Sequence, residues 1–246
     1  MKIGIAQISP KQGQIEKNIT SHKKIIFLAL DKGIDAIFFP ELSITGYKID
    51  LAEELKMSPN DKRFEVFQKI CNENKITIGI GVPIEFEDGV KISMLIFNAE
   101  NQVQTYSKQI LHDDEKPYFK EGNSQLILNI NGNTIAPAIC YESLQTEHID
   151  HAIEKGANIY IACVAKSQKG IDKANLYFPK VAKEKSMPIL MANCIGFCDH
   201  FKSVGQSSVW NKNGDIIGQL GENKEGVLVY DSETETAYNI EKEVSQ

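Results

Sequence analysis

Three residues of this 246-residue chain stand where an apolar, strand-like run ends in a polar group. Glu41 follows Ala36-Ile37-Phe38-Phe39-Pro40, Lys108 follows Val103-Gln104-Thr105-Tyr106-Ser107, and Cys140 follows Ile135-Ala136-Pro137-Ala138-Ile139. Ligands of layered α/β folds gather beyond the carboxyl ends of strands, so a carboxylate, an ammonium and a thiol could converge there. Together they make a complete acyl-transfer set. A thiolate attacks the carbon of an amide or a nitrile, and a carboxylate takes the thiol proton and returns it to the leaving amine. A fixed ammonium beside a backbone N–H stabilises the oxyanion. The lysine supplies the positive charge, so neither a metal nor another cofactor is expected. Taken singly each residue is uninformative, since a cysteine ending an apolar strand is more often core and a single Glu or Lys more often solvated. Glu41 and Lys108 would need partly dry surroundings to tune their protonation.

The elements that must position these groups alternate between periods of about two and 3.6 residues. Strands are expected at residues 3–8, 36–39, 76–86, 92–97, 102–107, 126–130, 135–139, 159–164, 189–192 and 227–230, and a hairpin at 208–218. Turns at Glu87-Asp88-Gly89, Asn98 to Asn101, Asn131-Gly132-Asn133 and Asn213-Gly214 separate antiparallel pairs. Helices are expected at 15–32, 61–73, 147–155 and 174–185. Strands mixed with helical crossovers give an α/β layered fold. No linker or repeat interrupts the chain, so a single domain over 1–246 is expected, with its core at about 2–231 and a loose polar tail from about Thr234.

Composition narrows the class. Hydrophobic residues are 42% and charged residues 24%, which excludes disordered and collagen-like chains. The 27 basic against 33 acidic residues leave a net charge of −6, which argues against nucleic acid as a partner. No apolar run reaches the roughly 18 residues of a membrane span, and the N-terminus lacks the pattern of a signal peptide. A cytoplasmic protein without a membrane partner is expected. The five cysteines (71, 140, 163, 194, 198) are odd in number and irregularly spaced, which favours reduced thiols over a disulfide framework.

Other constellations compete for attention. His148 and His151 could serve Cys140 or hold a metal, but a solvated helix face is the plainer reading. Cys194, Cys198 and His200 form a loose metal-like cluster with one thiol pair only. Lys166, Lys169, Asp172 and Lys173 form a mixed-charge loop that could reach the pocket mouth, with solvated surface the plainer reading. Cys71 and Cys163 read as core thiols. Tyr47 and Phe119 fit either pocket lining or aromatic core.

The embedding of the three leading residues is more specific. Phe38-Phe39-Pro40-Glu41 continuing to Gly46-Tyr47 resembles the first motif of the carbon–nitrogen hydrolase (nitrilase) superfamily. Tyr106-Ser107-Lys108-Gln109-Ile110-Leu111, running on through Glu115 and Phe119 to Gly122, resembles the second. Ile139-Cys140-Tyr141-Glu142 resembles the third, and fainter echoes extend the likeness over residues 2–231. The resemblance implies a four-layer α-β-β-α sandwich that pairs into a homodimer or higher homo-oligomer. It implies Cys140 as nucleophile, Glu41 as general base and acid, and Lys108 with the Tyr141 N–H as oxyanion stabilisers. Glu115 matches a second glutamate that orients the lysine or the substrate. Tyr47, Phe119 and Tyr141 are the expected substrate contacts.

Departures from the family pattern bear on the substrate. Many family members acting on dicarboxylate amides carry an arginine soon after the Cys-Tyr pair, where this chain has Glu142-Ser143-Leu144-Gln145, which argues against those substrates unless another basic residue substitutes. Nitrilases run longer and follow the cysteine with Trp-Glu. A small amide is the expected substrate. A nitrile, an N-carbamoyl amine, acyl transfer to an amine, or a catalytically silent binding module are the alternatives.

Overall fold

The computed structural model describes residues 1–100 and 103–241. In chain order the elements are β1 (Lys2–Gln7), α1 (Ile15–Leu30), β2 (Ala36–Phe38), α2 (Ala52–Leu55), α3 (Glu65–Asn74), β3 (Thr77–Phe86), β4 (Gly89–Phe97) and β5 (Gln104–Ser107). They continue with β6 (Leu128–Ile130), β7 (Asn133–Ile139), α4 (Thr146–Glu154), β8 (Ile159–Val164), α5 (Gln168–Lys185) and β9 (Ile189–Asn193). The last are β10 (Ile195–Cys198), β11 (Phe201–Val204), β12 (Ser208–Trp210), β13 (Ile216–Gln219), β14 (Gly226–Asp231) and β15 (Thr236–Glu241).

Two mixed sheets carry the fold. One has the strand order β15-β14-β1-β2-β3-β4-β5, the other β13-β12-β9-β8-β7-β6. Strands β1, β2 and β3 run parallel, as do β7, β8 and β9, because helices cross over between them. Alternation along each strand then sorts side chains into layers. Ile3 and Ile5 of β1 join Ile135 and Ile139 of β7 between the sheets, while Ala6 of β1 packs with Ile25, Phe67 and Ile70 of α1 and α3. On the far side, Ala136, Ala138 and Tyr160 meet Ile149 of α4 and Ile171 and Phe178 of α5. The result is the expected four-layer α-β-β-α sandwich.

Several elements differ from their expected bounds. Helix α5 begins six residues earlier than 174, because Ile171 continues the buried stripe of Ala174, Phe178, Val181 and Ala182 through what its charges suggested was a loop. The segment after Thr234 is not loose. Residues Thr236–Glu241 form an edge strand antiparallel to β14, with Ile240 buried, so this part of the tail joins the first sheet. The β10–β11 hairpin and the short turn of helix at α2 carried too few periodic residues to be anticipated. Asn101 and Gln102, expected in a turn and a strand, lie outside the described residues, as do 242–246.

Candidate active site

Cys140 directly follows β7 and opens a short 3-10 helix, Cys140–Leu144, in a left-handed conformation with φ of 51°. A non-glycine residue held there stores strain, and the sharp strand-to-helix turn leaves the thiol half-buried at the wall of a cavity. Its Sγ lies 3.8 Å from the carbonyl oxygen of Ala165, at the end of β8. The cavity holds about 440 Å³ and is lined by Cys140, Tyr141, Tyr47, Glu115, Lys166 and Phe201, among others. A groove of about 680 Å³ along α1 is larger, but none of the predicted site residues lines it.

Glu41 sits in the loop after β2, closed down on β3. A Cβ added at Gly81 would lie 2.4 Å from the Pro40 carbonyl oxygen and 2.5 Å from the Leu42 nitrogen, so only glycine lets the loop approach this far. The loop is tied there by Ile44 N–H donating to the Gly81 carbonyl (3.0 Å) and by Gly81 N–H donating to Ser43 Oγ (3.2 Å). Lys108 leaves β5 with its N–H on the Ile92 carbonyl and its own carbonyl accepting from Gly122 N–H.

These loops bring the charged trio together out of water. The Lys108 ammonium donates to Glu41 Oε1 (2.8 Å) and to Glu115 Oε1 (2.7 Å), and all three side chains are buried. Glu115 accepts two further hydrogen bonds, from Tyr47 O–H on Oε1 (2.9 Å) and from His112 N–H on Oε2 (2.8 Å). Glu41 differs, since its Oε2 has no hydrogen-bond partner. An ammonium has three protons, so Lys108 keeps one beyond its two carboxylates.

Burial pushes the Glu41 carboxyl up to about 7, with Lys108 pulling it down and Glu115 pushing it further up. Burial and the Glu41 charge push the Cys140 thiol up to about 12, against Lys166 and Lys108. Burial alone would lower Lys108, but Glu41, Glu115 and Cys140 outweigh it, and the ammonium stays charged. The arrangement is a protonated thiol beside a carboxylate poised near neutrality and a permanent cation.

Of the expected substrate contacts, Tyr47 and Tyr141 line the cavity, with the Tyr47 ring edge-on to Phe201 at 5.7 Å. Phe119 does not, being buried between the sheets among Tyr106 and Leu111. Two readings of the rival residues are corrected. His148 is not on a solvated face: it is buried, with Nδ1 2.7 Å from Tyr160 Oη and Nε2 2.7 Å from Tyr106 Oη. Lys166 is not surface either, at 6% exposure on the cavity wall. Cys194 and Cys198 pack Sγ to Sγ at 3.4 Å inside the protein, and no metal-like cluster occurs among the described residues.

The family model of the carbon–nitrogen hydrolases matches residues 2–242. This chain belongs to that family. The hydrolase is 24% identical, over 98% of its length and 93% of the relative's, to a probable nitrilase of Schizosaccharomyces pombe. It is 26% identical to a glutamine-dependent NAD(+) synthetase of Acinetobacter baylyi, of which it spans 42%. Among solved structures, a mutant amidase from Nesterenkonia sp. AN1 superposes with a TM-score of 0.85 at 21% identity, covering 94% of this hydrolase and 92% of that chain. That structure shows the product of Michael addition of acrylamide at its active-site cysteine. The likeness establishes the nitrilase-type fold of this carbon–nitrogen hydrolase.

Proposed function

We propose that this carbon–nitrogen hydrolase is an amidase that cleaves a small, non-peptide amide through a thioester on Cys140. The observation that supports it best is the buried, unpartnered Glu41 Oε2 beside the half-buried Cys140 thiol and the Lys108 ammonium. A buried carboxylate oxygen with no donor is rare and costly, and a thiol proton is the donor it lacks.

The chemistry follows from that placement. Glu41 takes the Cys140 proton as Sγ bonds to the amide carbon. The oxygen of the tetrahedral adduct is met by the remaining Lys108 proton and by the N–H of Tyr141, which lies in the first turn of the 3-10 helix where such groups lack intrahelical partners. Glu41 then returns the proton to nitrogen, the C–N bond breaks and ammonia or an amine leaves. Water, deprotonated by Glu41, hydrolyses the thioester. Glu115 holds Lys108 and takes no proton.

Ammonia release from a panel of short amides, N-carbamoyl amines and nitriles tests the reading. Release from amides, abolished in Cys140→Ser, is expected. Release from nitriles alone would replace the amidase with a nitrilase, and covalent silence toward every compound would leave a binding module.

A further inference from the structure

The cavity contains a cation that the reaction does not use. Lys166 lies two residues past the end of β8, one residue beyond the Ala165 carbonyl that faces Cys140 Sγ. It is 6% exposed, and among the described residues no carboxylate pairs with its ammonium. The carboxylates that line the same cavity are already engaged, Glu115 by Lys108 and Tyr47, and Asp114 by His112 Nδ1 at 2.6 Å. Lys173, exposed at the cavity wall, is likewise without an acidic partner.

Lys166 is also a built feature. Its N–H donates to Asn193 Oδ1 (2.9 Å), and its carbonyl accepts from Asn193 Nδ2 (3.2 Å) and Ser203 Oγ (3.0 Å). Its stem lies on the backbone of Gly170 in the first turn of α5, where an added Cβ would come within 3.1 Å of Lys166 Cβ and 3.2 Å of its Cγ. Glycine in a helix costs about 1 kcal/mol relative to alanine, and here it gives the lysine its room. A nearly buried charge ordinarily has a partner.

We infer that Lys166 binds a carboxylate on the acyl part of the substrate, so that the amide cleaved at Cys140 is the monoamide of a dicarboxylic acid. The inference rests on the amidase reading above. One lysine ammonium at the cavity wall, with no acidic partner among the described residues, matches one negative charge. Lys173 at the wall adds a second, solvated attraction for the same anion.

The test compares kcat/KM for succinamate, glutaramate and adipamate with that for butanamide, pentanamide and hexanamide. The wild-type enzyme is expected to favour at least one acid amide over its neutral counterpart. Lys166→Met is expected to cut that preference about 10- to 100-fold, mainly through KM, as loss of a charge-assisted hydrogen bond should. Lys166→Arg should keep part of it, and Gly170→Ala should reduce it by displacing the lysine stem. In the wild-type enzyme, glutarate should inhibit competitively while the uncharged diol of equal length does not. A wild-type preference for neutral amides, a preference untouched by Lys166→Met, or equal inhibition by acid and diol would each overturn the carboxylate assignment and leave the amidase standing. Failure to turn over any amide would overturn the amidase reading and this one with it.

Discussion

Two buried carboxylates flank the segment that carries Lys108, and their environments differ in one respect. Glu41 and Glu142 are both fully buried, and burial pushes both carboxyl groups up to about 7. Glu142 is saturated. Its Oε1 accepts from Tyr106 O–H (2.6 Å) and Ile139 N–H (2.7 Å), and its Oε2 from Gln109 N–H (2.6 Å) and Ile110 N–H (3.2 Å). Glu41 has one oxygen on Lys108 and one on nothing. A raised pKa therefore does not by itself mark a working acid or base in this protein. The vacancy does. Glu142 ties the strand that ends in Cys140 to the loop that begins at Lys108, and behind it His148, held neutral by burial with its pKa lowered to about 4, closes the network with Tyr106 and Tyr160. In the proposed mechanism the first cluster moves a proton and the second fixes distances.

The largest expected effect breaks the first cluster. Glu41→Gln keeps a hydrogen-bond acceptor for Lys108 and removes the base, so kcat should fall about 10²- to 10⁴-fold in steady-state assays, with little change in the thermal midpoint. A loss of under ten-fold would show that the thiol proton goes elsewhere.

The pH profile sharpens the contrast. Glu41 acts as a base only when ionised, so wild-type kcat/KM should drop as pH falls below about 7. Glu142 titrates in the same range, and the variants separate the two. The residual activity of Glu41→Gln should lose this acidic limb, whereas Glu142→Gln should keep it. The opposite pattern would exchange their roles.

Glu142→Gln should itself be milder on the chemistry and harsher on the fold. The amide nitrogen would oppose donors that a carboxylate oxygen accepts, at a cost of about 1–3 kcal/mol per unmet group. A clear fall in denaturant midpoint is expected, with a roughly ten-fold loss of kcat. The smallest effect is expected at Phe119→Leu. Its ring packs between the sheets, so stability should fall by about 1 kcal/mol while KM stays as in the wild type. A changed KM would place that ring at the substrate after all.

The same contrast explains what could be read from sequence. That Glu41, Lys108, Cys140 and Glu115 converge was legible because each ends a strand pattern or sits in a spaced motif, and the strands around them alternate cleanly. Lys166 satisfies the same rule, following the apolar run 159–165. It was obscured by Lys169, Asp172 and Lys173, whose charges imitate a surface loop although they are exposed positions of α5, Lys173 at the cavity wall. His148 was misplaced because a polar residue on an amphipathic helix looks solvated until its partners, Tyr106 and Tyr160, arrive from distant strands. The tail strand β15 was missed because an edge strand with one face partly exposed has a weak apolar signal. Non-local pairing, rather than local propensity, decided each of these.

The central claim is that Cys140 is the nucleophile, and among five cysteines only it lies at the cavity. The Nesterenkonia sp. AN1 amidase, in a mutant form, carries the acetamide moiety of fluoroacetamide on its active-site cysteine. Intact-protein and peptide mass spectrometry after treating this protein with fluoroacetamide is the direct measurement. One acetamide adduct on the Cys140 peptide, absent in Cys140→Ala, is the predicted result. An adduct on Cys71, Cys163, Cys194 or Cys198, with Cys140 unmodified, would contradict it.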